Sequence, residues 1–474
     1  MKSSYRVVGA TLYTHPLRTR MPFRYGIATM TELPHAFVEV LVSGPRGEAR
    51  GLSADHLPPK WFTKDPTTPL DQEIATMREV IVHAASLVSG QAFQSVFGLW
   101  RELWKAQAQW ARAKGYPALL AQFGTSLIER AVIDAFCRLE GVTFIEALDA
   151  NRLGINFSDL DPSLPADWRR LLPATALTEV VARHTVGLAD IVFERDLTTT
   201  ETPDDGLPRT LETAVRTYGL REFKIKFGSQ WETEAARLQD IFVCLEANAA
   251  SDWRFSLDGN ESFADANAFR ATWERLSTQP WLQKNLPRLL FIEQPVSRTV
   301  ALSSSADWRS WPSAPAITID ESDGDLGDVP RSLELGYAGS THKNCKGIFK
   351  GILNRCRLIH LAQTSGRRMM MSGEDLSNIG PVALTQDLLL QAVLGNRSVE
   401  RNGHHYFRGL SMWPESVQSE MLKHHPDLYD DRLGFPSLAI AEGRLRLDSV
   451  LRAPFGYAAD IDPRTFCENS EAVR

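Results

Sequence analysis

The chain has no excess of basic residues, no uninterrupted apolar run of membrane-spanning length and no CxxC pair. Its 52 Lys and Arg stand against 58 Asp and Glu over 474 residues, a formal net charge of −6. That balance leaves no basic stripe for nucleic acid and no polyanion partner. The opening MKSSYRVVGATLYTH lacks the apolar core of a signal peptide, so a cytoplasmic protein with no membrane partner is expected. Five scattered cysteines (Cys137, Cys244, Cys345, Cys356, Cys467) argue against a disulfide framework and against a thiolate metal site. What is present is an ordinary globular composition, 43% hydrophobic and 23% charged, long enough for two or three domains.

Residues 1–150 read as a mixed α+β domain. YRVVGATLY and HAFVEVLVSG alternate as strands, and the second leaves through a Gly-Pro turn towards GEARGLS as a hairpin partner. Ile74, Met77, Val80 and Ile81 share one helix face, as do Leu127, Ile128, Ala131, Val132, Ala135 and Leu139 before Gly141. Residues 151–218, punctuated by Pro162, Pro165, Pro173, Pro203 and Pro208, read as an irregular insertion holding the first elements of a second domain. From 219 to 444 short apolar runs (FKIKF, RFSLD, LLFIE, AITID, RRMMMSGED) alternate with amphipathic stretches, as βαβ units do. Consecutive apolar positions in LLFI and MMM fit parallel strands covered on both faces, in a barrel or a doubly wound sheet.

Polar residues stand at the carboxyl ends of these runs: Lys226, Asp258, Glu293, Asp320, Lys343 and Glu374. They are separated by 32, 35, 27, 23 and 31 residues. One unit of a (β/α)8 barrel takes about 30 residues, so each would sit one strand further round and all would converge on one mouth. Alone, Asp258, Asp320 or Glu374 reads as a helix N-cap; Glu293, ending a buried run before Gln294 and Pro295, needs a cation. Three carboxylates from three adjacent strands make an all-oxygen site suited to Mg²⁺, with Mn²⁺ as the alternative, rather than Zn²⁺. Period-2 alternation puts Lys224 and Lys226 on the face opposite Phe223, Ile225 and Phe227. Beside each other and a dication, these ammoniums are expected to titrate low; a fall of about three units from 10.4 makes a lysine a base at neutral pH. Lys343 is expected to face the site from the other side. Two amines flanking a metal that holds a carboxylate suit removal and return of the proton α to that carboxylate.

The ordered set KIK (224–226), DGN (258–260), EQP (293–295), DES (320–322) and Lys343 in KNCKG resembles the enolase superfamily, in its branch of muconate-lactonizing enzymes, o-succinylbenzoate synthases and dipeptide epimerases. AVIDAFCRLEG (131–141) and the tail ending RAPFGY are similar to that family's helix before the barrel and its return to the cap. The resemblance implies a modified TIM-type barrel with an α+β capping domain to which the tail, residues 445–474, returns. It implies Mg²⁺ held by Asp258, Glu293 and Asp320, with Lys226 and Lys343 as base and acid and Lys224 touching the substrate carboxylate. Asn260 and Glu321 would support the site, Glu374 is placed beside them by its strand-end position alone, and cap loops carrying Phe23, Arg24, Tyr25, Asp55 and His56 would close over a small carboxylate substrate. The family commonly assembles, which leaves a homo-oligomer open. The activity implied is a racemase or epimerase working through a Mg-stabilised enediolate; the alternatives are a dehydratase-like lyase or a cycloisomerase on the same chemistry, and a barrel that binds metal without catalysis. The longer stretch 151–218, KGIFK in place of KxGG, and the extra acids Glu374 and Asp375 depart from the family pattern.

Overall fold

The computed structural model describes residues 4–198 and 203–473. Residues 199–202 of the proline-punctuated stretch, and 1–3 and 474 at the ends, lie outside the described residues.

Three long antiparallel strands form the first sheet, β1 (Tyr5–Tyr25), β2 (Ala28–Gly44) and β3 (Gly47–His56). The short β4 (Ala92–Phe93) pairs with β1 on one side. Three helices pack on this sheet: α1 (Leu70–Val88), α2 (Val96–Lys114) and α3 (Ala118–Glu140). The apolar spacing read from the sequence lies on α1 and α3, and α3 is buried on nearly every side because it runs between the sheet and the second domain. Two glycines permit that density. A Cβ at Gly51 would stand 2.2 Å from the Ala131 carbonyl oxygen, and one at Gly124 2.1 Å from that of Val80, so β3 and α1 both touch the α3 backbone. Gly141 ends α3 in the left-handed conformation.

Eight parallel strands close a barrel: β5 (Glu179–Val186), β6 (Glu222–Lys226), β7 (Arg254–Asp258), β8 (Leu289–Glu293), β9 (Ile317–Ile319), β10 (Gly339–His342), β11 (Met370–Gly373) and β12 (Ser398–Arg401), with β12 pairing back to β5. The barrel thus begins within the proline-punctuated stretch, at residue 179. A small hairpin, β13 (Tyr429–Asp430) with β14 (Ser437–Leu438), follows. Strand β15 (Arg444–Arg446) then lies antiparallel on β5, and β16 (Asn469–Val473) returns to pair with β1. The chain therefore leaves the cap once and comes back to it.

The FKIKF segment is a central strand. β6 is hydrogen-bonded on both sides, to β5 and β7; Phe223 and Ile225 are buried under the outer helices, while Lys224 and Lys226 point into the barrel. An edge strand with solvated lysines is excluded.

Candidate active site

The barrel mouth is built from strand ends in register. Lys226 lies level with Asp258, and Asp258 with Glu293, across β6, β7 and β8; Glu293 is level with Thr318 on β9, and Asp320 stands two residues beyond it. Lys343 follows β10, four strands round from β6. Lys224, Lys226, Asp258, Asp320 and Lys343 line one cleft of about 640 Å³, open solvent at its mouth included. Glu293 lies just beneath, 1% exposed.

Each carboxylate of this set holds an ammonium. Lys226 Nζ donates to Asp258 Oδ2 at 3.1 Å and to Asn260 Oδ1 at 2.9 Å. Lys343 Nζ lies 2.6 Å from Asp320 Oδ2 and 4.6 Å from the centre of the Trp61 ring, in cation–π range. Lys346 holds the other side of Asp320, donating to Oδ1 at 2.9 Å and to the main-chain oxygen at 2.7 Å. Gln294 accepts from the Asp320 amide at 2.8 Å and donates to Ser322 Oγ, which explains why EQP and DES belong together.

Lys224 is the most shared. Its Nζ lies 2.7 Å from Glu293, 2.9 Å from Glu374, 3.1 Å from Glu400 and 3.3 Å from Asp258. Burial opposes its charge, but Glu293, Glu374 and Glu400 outweigh burial and hold its pKa well above the usual lysine range. Burial likewise opposes the charge of Lys343, and Asp320 raises it on balance. Against the expectation that Lys224 titrates low beside Lys226 and a dication, among these side chains alone the carboxylates around it outweigh both burial and the neighbouring cations. Glu293 is pushed well above the carboxylate range, by burial first and by Glu374 next. Asp320 goes the other way: burial raises it, and Lys343 and Lys346 bring it well below. Taken together, the carboxylates Asp258, Glu293, Asp320, Glu374 and Glu400 face the cations Arg183, Lys224, Lys226, Lys343 and Lys346.

The donor chemistry is that of a hard divalent ion, oxygen only. Among the described residues, however, no three acidic, His or Cys side chains converge in a metal-holding group. The pairing gives the reason: with Lys224 between Asp258 and Glu293, and Lys343 and Lys346 on Asp320, the carboxylates are spread over ammoniums instead of turned to one point.

Phe23 and Tyr25, at the β1 end, line the cleft with Met30, Pro58, Trp61 and Leu376. Arg24 points to solvent. Asp55 and His56 close no loop over the cleft; they end β3 and are fully buried. Asp55 pairs with Arg130 of α3, while His56 contacts His35 at 3.0 Å and the Ser377 carbonyl at 3.0 Å. The closing segment lies further on, and a clasp holds it. Arg298 donates to the Trp61 and Phe62 carbonyls at 2.9 and 2.8 Å and grips Glu261 with both arms at 2.7 Å; Lys64 lies 3.3 Å from the same carboxylate. Glu321 lines the cleft with Oε2 buried and unpartnered, its pKa raised to about 7 by burial and by Asp320. Glu374 is buried beneath, against Arg183 and Lys224. His404 and His405 are buried against His184, and His404 lines a separate small cavity.

The sequence reading passed over Arg183, Glu400 and Lys346. Glu400 accepts from Thr185 Oγ1 at 2.6 Å and from the Asp375 amide at 3.0 Å. A second tie crosses from the cap: Glu129 of α3 accepts from the amides of Ile348 and Phe349 at 3.0 and 2.7 Å, capping the helix Ile348–Ser365 that follows the Lys343 loop. Burial pushes the Glu129 carboxyl up to about 8.

No family model and no curated protein matches the chain. Solved structures do. A member of the enolase superfamily from Listeria innocua is similar at 13% identity and TM-score 0.62, over 99% of each chain. An enolase from Bradyrhizobium, complexed with magnesium and mandelic acid, matches at 16% and 0.58, over 99% of this chain and 100% of that one. An N-succinyl Arg/Lys racemase from Bacillus cereus matches at 15% and 0.59, over 99% and 100%. No helix among the described residues is long and apolar enough to cross a membrane. At these identities the likeness is one of architecture: the chain has the capping domain and closed (β/α)8 barrel of enolase-superfamily structures.

Proposed function

We propose that the protein is a metal-dependent racemase or epimerase that removes and returns the proton α to a substrate carboxylate. The observation that carries this reading is that Lys226 and Lys343, on strands four apart, line one cleft with Asp258 and Asp320 between them and Glu293 beneath. Asp258, Glu293 and Asp320 would hold Mg²⁺. Bound there, the ion would neutralise the charge that builds on the substrate carboxylate as the α-proton leaves.

The chain's own residues do the rest. Lys226, held by Asn260 and Asp258, and Lys343, held by Asp320 beneath Trp61, are the two proton carriers, one for each face of the α-carbon. Phe23, Tyr25, Met30 and Leu376 exclude water and fit an apolar substrate group beyond the carboxylate.

The test is incubation of 2-acylamino and 2-hydroxy carboxylates with Mg²⁺ in D₂O, followed by NMR. Deuterium at the α-carbon with inversion is expected, and K226A and K343A should each abolish exchange on one face. Loss of water or ring opening without inversion would move the assignment to a lyase or cycloisomerase. Absence of exchange and turnover across the panel overturns the reading.

A further inference from the structure

Lys224 occupies the point where the acids of the mouth meet. Its ammonium is 2% exposed and touches four carboxylates that fall into two pairs. Asp258 and Glu293 belong to the proposed metal set. Glu374 and Glu400 belong to β11 and β12 and are fixed from behind: Arg183 and Ser372 Oγ donate to Glu374, Thr185 Oγ1 and the Asp375 amide to Glu400. The first pair has Lys224 as its common cation; the second has anchors that do not depend on it.

We infer that Lys224 is a built-in counter-cation which a divalent ion must displace from Asp258 and Glu293, and that Glu374 and Glu400 are the seat that retains its ammonium after displacement. This rests on the metal reading above and deepens it. An ammonium and a dication cannot share Glu293 and Asp258 at close range without strong repulsion in a dry site, where charges interact several-fold more strongly than in water. Lys224 has somewhere to go, because two of its partners are already on the far side. The metal affinity is accordingly set by an exchange of cations, and the same exchange keeps the buried acids neutralised while the ion is away.

Calorimetric titration of Mg²⁺ into the full-length protein tests this without any substrate. K224M should bind Mg²⁺ at least tenfold more tightly than wild type. E374Q and E400Q, each of which removes one of the two retaining acids, should bind several-fold more weakly. Because K224M removes a cation shared by four acids, the charge-balanced K224M/E374Q serves as a second variant, with circular dichroism as the check on folding, and should also bind more tightly than wild type. Binding that E293Q abolishes but that K224M and K224M/E374Q leave unchanged or weaken overturns the exchange and spares the metal reading. No binding in wild type, K224M or K224M/E374Q overturns both; binding in the Lys224 variants alone supports both.

Discussion

Two buried clusters of opposite charge sit in the same molecule and are built differently. At the seam between cap and barrel, Arg130 has one acidic partner, Asp55, and spends its remaining donors on the Ser126 and Ala54 carbonyls at 3.1 and 3.0 Å. At the mouth, Lys224 is divided among four acids and Asp320 between two lysines. The seam pair is closed: each residue has one ionic partner, and the rest of Arg130's donors go to main-chain oxygens. The mouth cluster is open: Lys224 is shared among four acids, Asp320 between two lysines and Glu374 between Arg183 and Lys224, while Glu293 leans on Lys224. Closed pairs hold domains together; open clusters can trade ions and protons.

Substitutions should separate the two. K343A at the mouth is expected to lower turnover by about 10²–10⁴-fold, the usual range for a general acid or base, with an unchanged urea midpoint; a large loss of stability instead would place Lys343 with the seam. R130M should do the reverse. Leaving Asp55 buried without its cation costs about 3–5 kcal/mol in chemical denaturation, with turnover per folded molecule retained.

The seam and the barrel wall also carry the pH response. Burial lowers His56, His342 and His425 each to about 4. Between about 6.5 and 4 the unfolded chain takes up protons at these positions and the folded chain does not, so stability is full above 6.5 and falls on acidification. Each histidine contributes about 1.4 kcal/mol per pH unit in that window. Urea midpoints from pH 7 to 4.5 measure it, and H56N should flatten the slope; an unchanged slope would show that His56 charges in the folded state. The smallest expected effect is at the clasp: R298K keeps the charge but loses the two-armed grip, and should raise KM roughly tenfold with kcat less affected.

The same contrast explains what could be read from the chain. Lys226, Asp258, Glu293, Asp320 and Lys343 were legible because each ends a short apolar run, and their spacing carries the barrel's period. Arg183 and Glu400 were not, because β5 lies in the proline-punctuated stretch and β12 is a four-residue SVER, so an inward charge there removes the apolar signal that would mark a strand. Asp55 and His56 were misplaced as loop residues for a related reason. GEARGLSADH is polar enough to look exposed, and only the packing of α3 and the barrel against its second half buries it. The direction of the lysine shifts depended on counting acids around each ammonium, and two of the four around Lys224 come from β12 and β11, two and three strands round through β5 and late in the chain.

The clasp on the closing segment grips backbone. Arg298 reaches the carbonyl oxygens of Trp61 and Phe62 and none of their side-chain atoms. Any amino acid presents that same oxygen, so the segment can change what it shows to a substrate without changing how it is fastened. Position 61, which lines the cleft, can thereby be substituted with the clasp intact, whereas Phe62 is buried against Phe123 and faces no substrate.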